Sequence, residues 1–106
     1  MANRDLKRAR SDCDAAIRAA PANAAFLDSR GTVAFREGDF TGAIADFSAA
    51  LAISPRRAWS LYLRGVAEQR LSQAEAATHD IAVAKSIAPR VAARVAKYGF
   101  APEATP

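Results

Sequence analysis

The sequence predicts an all-α fold: a helix-turn-helix solenoid of half a repeat, two full repeats of 34 residues and a short C-terminal capping helix. Two periodic series point to it. Prolines stand at Pro21, Pro55 and Pro89 and glycines at Gly31, Gly65 and Gly99, so both types recur every 34 residues. That spacing is the length of one helix-turn-helix unit stacked along a solenoid. Composition is the third observation. Alanine runs through every segment and favours helix, and no alternating β-branched stretch is long enough to read as a strand.

Residues 4–20 read as one helix, with Leu6, Ala9, Cys13, Ala16 and Ile17 at helical spacing. Relative to Pro21 they occupy the place of a second repeat helix whose first helix is missing. Residues 24–37 form the next helix, closed by Gly38-Asp39, and residues 41–53 its partner, with Thr41 as N-cap. The second full repeat is predicted at residues 58–71 and 73–87, with Ser72 as the cap of the latter. Each proline ends a second helix, since its ring clashes with the preceding turn and it donates no N–H. Residues 90–98 form a short helix ended by Gly99, in register with Gly31 and Gly65 and so placed to start another first helix and cover the last repeat. Residues 1–100 thus make a single domain, and residues 101–106 a flexible tail. A chain of this length buries roughly 65% of the surface its unfolded form exposes.

The two full copies agree at several positions together. Leu27 matches Leu61, Gly31 matches Gly65, Ala43 matches Ala77, Phe47 matches Ile81, Ala50 matches Ala84 and Pro55 matches Pro89. This pattern resembles the tetratricopeptide repeat, in which a large apolar residue stands at position 4, Gly at 8, Ala at 20, a large apolar residue at 24, Ala at 27 and Pro at 32. Gly38 and Phe40 strengthen the first copy. The small residues permit close helix approach and the large ones fill the space between crossings, because a two-helix repeat buries its faces only against its neighbours. The chain departs from the family at position 7, usually aliphatic, with Arg30 and Arg64, and at position 11, usually Tyr, with Ala34 and Glu68. Ala74 stands where the first copy has Phe40, so the second repeat is expected to pack more loosely around its inner turn.

The resemblance implies a non-catalytic scaffold that presents a concave groove to a protein or peptide segment. The family's groove positions correspond here to Ala25, Asp28, Thr32, Phe35 and Arg36 in the first copy and Trp59, Tyr62, Val66, Gln69 and Arg70 in the second. Phe35, Tyr62, Val66 and Trp59 would bury apolar partner side chains; Asp28, Arg36 and Arg70 would set orientation. Aromatics with Arg at a rim have the composition of binding hot spots. Members that grip a C-terminal carboxylate use Lys, Asn and Arg at set places, where this chain has Asp28, Thr32, Ser29, Trp59 and Leu63. Asp28 repels a carboxylate, so a partner of basic character near Asp28 is expected.

A second reading is homodimerisation through the N-terminal half-repeat, whose missing partner helix leaves a face bare. Leu6, Cys13 and Ile17 would form that contact, unless the chain is a piece cut from a longer repeat protein, which the sequence favours. Lys and Arg number 15 against 11 acids, clustered at Arg4, Lys7, Arg8 and Arg10 and at Arg90, Arg94 and Lys97. Asp5, Asp12 and Asp14 break the first cluster, so solvated faces are expected rather than a stripe for nucleic acid. Cys13 is the only cysteine and His79 the only histidine. No disulfide, metal site, cofactor or catalytic constellation follows from them. No apolar run reads as a signal peptide or membrane span, so a cytoplasmic location is expected. Heavy Ala and Arg use with little Lys is the composition of bacteria with GC-rich genomes.

Overall fold

The computed structural model describes residues 3–100, and these form six helices: α1 (Asn3–Ala19), α2 (Ala24–Arg36), α3 (Phe40–Ile53), α4 (Ala58–Arg70), α5 (Ala74–Ile87) and α6 (Val91–Lys97). The helices α2 and α3 form one antiparallel hairpin and α4 and α5 the next, with α1 against α2 and α6 against α4. The chain is therefore an all-α repeat stack. Residues at period 34 meet each other. A Cβ on Gly31 would lie 2.8 Å from Cε1 of Phe47, and one on Gly65 would lie 2.6 Å from Cγ1 of Ile81. Glycine at this position lets the large residue of the partner helix seat directly on the backbone. Phe47, Leu63, Val66, Val91 and Val95 are fully buried in one core that spans both hairpins and α6.

The arginines that depart from the family pattern form a periodic ladder. Arg30 binds both oxygens of Asp46 (3.0 and 2.9 Å) and reaches Asp14 on the preceding helix (3.0 Å). One repeat later Arg64 binds both oxygens of Asp80 (2.7 and 2.8 Å) and reaches Ser48 (3.2 Å). Each guanidinium thus joins the two helices of its own repeat and the second helix of the repeat before. Such fork-to-fork pairing fixes geometry as well as charge. Glu68 lies within this arrangement, 4.0 Å from Arg64. Burial, reinforced by the neighbouring Asp80 carboxylate, raises the Glu68 carboxyl to about 7; burial also pushes Asp80 up, but Arg64 and Glu68 together outweigh it and hold Asp80 below the ordinary carboxylate range.

The turns correct two expectations. The cap of α3 is Asp39, not Thr41: its carboxylate accepts from the Gly42 N–H at 2.9 Å. Ser72 is not a cap either. It sits at φ +62°, the place that Gly38 takes at φ +80° one repeat earlier. In both turns the residue after this one donates back into the last helical turn, Asp39 to the Ala34 carbonyl and Gln73 to the Glu68 carbonyl, a closure that requires a left-handed residue. Gln73 makes no side-chain cap for α5, so the second turn keeps the geometry of the first with less suitable residues. Gly99 ends the last helix, as expected. Although it is in register with Gly31 and Gly65, a Cβ on it would meet no described atom within 4 Å, and it adopts φ +84°. It closes α6 as Gly38 closes α2, with the Phe100 N–H donating to the Val95 carbonyl. The third unit therefore stops after two turns, and the chain turns back on itself.

Candidate functional site

The turn at Gly99 carries Phe100 onto the side of the stack formed by α2 and α4. Phe100 is buried there, edge-on to Phe35 (5.3 Å between centroids) and to Trp59 (6.0 Å). Arg36 clasps the turn, donating to the Tyr98 carbonyl at 3.2 Å and lying 4.3 Å from the centre of the Phe100 ring. Trp59 packs edge-on to Tyr98 at 5.8 Å, and Arg94 of α6 lies over its ring at 5.7 Å. Beside these contacts opens a cleft of about 380 Å³, lined by Asp28, Thr32, Arg36, Arg57, Trp59, Arg94, Tyr98 and Phe100. Asp28 is consumed within its wall: it accepts from the Ser60 hydroxyl at 2.8 Å and from Arg57 at 3.2 Å. Burial raises its carboxyl, and Ser60 and Arg57 oppose that rise. Thr32 is turned back to the Asp28 carbonyl at 3.0 Å.

The tetratricopeptide repeat profile matches residues 1–58 and again 30–90. The chain belongs to the tetratricopeptide repeat family. Repeats of this family generally mediate protein–protein interaction and are generally non-catalytic scaffolds. No curated protein matches the sequence. No helix among the described residues is long and apolar enough to cross a membrane, and none of their His, Cys, Asp and Glu side chains gather as a metal-holding group of three or more.

Tetratricopeptide groove positions translate unevenly into open surface here. Thr32, Arg36 and Trp59 line the cleft. Gln69 and Arg70 are exposed at the far end of α4, where Arg70 lies 5.8 Å from the Phe35 ring and 5.6 Å from that of Phe40. Tyr62 and Val66 are core residues, 4% and 0% exposed, and Phe35 is buried beneath Phe100. The cause is the early stop of α6. Its Val91 and Val95 join the core at α4, and Phe100 covers the aromatic floor that a partner would otherwise meet. Asp28 is also corrected, since its carboxylate serves Ser60 and Arg57 rather than facing outward.

The N-terminal helix differs from expectation too. Leu6 is buried, beside a depression that Phe35, Arg36 and Phe100 also line. Ile17 packs with Ala24, Leu27 and Ala50, and Cys13 is half-buried, its thiol raised mainly by burial. The exposed positions of α1 carry Asp5, Lys7, Arg8, Ser11, Asp12 and Arg18, with Ala15 and Ala19, so its free face is largely polar. Sequence reasoning missed Arg57, Arg94, Tyr98 and Phe100. The family's groove positions lie on first helices, whereas these four sit before α4 or on the closing segment. The early glycine at position 99, followed at once by an aromatic, was the available signal.

Proposed function

We propose that this chain is a non-catalytic interaction module that holds a segment of a partner protein in the cleft between α2, α4 and α6. The observation that supports this reading is the half-open Trp59, set between Arg94 and the Phe100 turn at the mouth of the cleft. Aromatic and arginine side chains at a concavity are the groups that most often dominate binding energy. The reading replaces the larger apolar groove expected from family positions with a smaller site whose floor is already filled by Phe100. Pairing of two copies through α1 has less support, because the exposed positions of that helix are mostly polar or charged.

The test is site-specific photo-crosslinking. A photoreactive residue at Trp59 is expected to trap a partner from cell extract, while the same residue at Lys85, exposed on α5, is not. Equal trapping at both positions would remove the cleft from consideration.

A further inference from the structure

We propose that the cleft beside Trp59 recognises an acidic segment of the partner, its carboxylates held by Arg36 and Arg94. This rests on the reading of the cleft as the partner site and adds the chemistry of the occupant. Among the described residues, three guanidinium groups line the cleft against one carboxylate. That carboxylate is spent: Asp28 is saturated by Ser60 and Arg57 within the wall. Arg36 and Arg94 have no acidic partner among the described residues. Among the described residues, Arg36 engages the Tyr98 carbonyl and the Phe100 ring, and Arg94 the face of Trp59.

The ladder arginines provide the contrast. Arg30 and Arg64 are matched to aspartates at every repeat, so this chain pairs its structural arginines and leaves the cleft pair unmatched. Aromatic contacts pre-position both guanidinium groups while leaving N–H donors available. A guanidinium so held loses less freedom when it binds a carboxylate. The polarity is opposite to that expected from Asp28 in the sequence alone.

Trp59 is the only tryptophan in the 106-residue chain, so its emission reports on the cleft directly. The probes are three terminally blocked hexapeptides, each with two central leucines and flanked by Glu, by Gln or by Lys. The Glu peptide is expected to change the emission saturably and to bind about tenfold more tightly than the Gln peptide, with no response to the Lys peptide. Arg36→Gln and Arg94→Gln should each weaken the Glu peptide roughly fivefold or more. Arg90→Gln, which removes an exposed charge beside α6 but outside the cleft, should leave the affinity unchanged. Equal binding of the Glu and Gln peptides would overturn the acidic assignment and leave the cleft reading standing. Loss of affinity in Arg90→Gln as large as in Arg94→Gln would also overturn it, because attraction would then follow total charge. So would a short single-stranded oligodeoxynucleotide that binds the cleft more tightly than the Glu peptide. Silence of all three peptides would overturn the acidic assignment, with the crosslinking experiment left to judge the cleft.

Discussion

Arg64→Leu restores at position 7 of the second repeat the aliphatic residue that the family usually has. By pattern it should be harmless; by structure it should be severe. Asp80 has a side chain only 4% exposed and receives two guanidinium bonds from Arg64, at 2.7 and 2.8 Å. Removing one partner of a buried pair costs about 3–5 kcal/mol, because the other charge stays buried and uncompensated. Arg64 itself is 23% exposed, which lets water reach the site and places the cost near the lower bound, about 3 kcal/mol. That is a large share of the roughly 5–15 kcal/mol that stabilises a domain. Arg64→Leu/Asp80→Ala removes both charges and should recover most of the loss, to within about 1 kcal/mol of the parent. Urea unfolding followed by Trp59 emission and by circular dichroism measures both. The equivalent Arg30→Leu should cost less, about 2 kcal/mol, since Asp46 and Asp14 are more exposed than Asp80. A loss below about 1 kcal/mol for Arg64→Leu, or a double variant no better than the single, would refute the argument that the ladder pair is held by burial.

Glu68→Gln should stabilise the protein above neutral pH. With the native carboxyl raised from 4.5 to about 7, the folded state holds a proton that the unfolded state releases across that window, so stability falls as pH rises through it. The lowered Asp80 acts in the opposite sense, but only where pH falls through and below the ordinary carboxylate range. The variant should exceed the parent by about 1–2 kcal/mol near pH 8, and the gap should narrow toward pH 5, as read from urea midpoints. Ser72→Gly should raise stability by about 1 kcal/mol, since φ +62° strains any residue with a Cβ. Differential scanning calorimetry would show it as a higher Tm. Phe100→Ala should cost about 1–2 kcal/mol, less than a full core truncation because the closing turn can detach instead. The same variant should shift Trp59 emission to longer wavelength as Phe100 leaves its ring.

Much of the fold was legible because period 34 constrains pairs of residues, not single ones. Gly31 with Phe47, and Gly65 with Ile81, are in contact because one must be small where the other is large. The ladder was visible only as two departures from pattern. Reading it required seeing that Asp46 and Asp80 share the same period and lie across the helix pair from the arginines. Gly99 ends its helix as the sequence indicated, but its shared register with Gly31 and Gly65 was ambiguous for a physical reason. Glycine answers two different needs, close helix approach and a left-handed turn, and register alone does not say which applies. Its role decided the site, because the early turn buries Phe100 on the face expected to be open and takes Tyr62 and Val66 into the core. Trp59 and Arg36 survived that change since they stand at the edge of the turn. Asp28 did not, because its partners Ser60 and Arg57 flank the groove position Trp59 without being groove positions themselves.

Docking of a partner segment in the cleft between α2, α4 and α6 is read out residue by residue in a 15N–1H correlation titration of the whole chain with the acidic hexapeptide. Saturable shifts of the single Trp59 indole N–H and of the Thr32 and Gly99 amides are expected, with His79 and Lys85 on α5 unmoved. Shifts concentrated on α5 or on the polar face of α1, with the Trp59 indole unchanged, would contradict docking in the cleft.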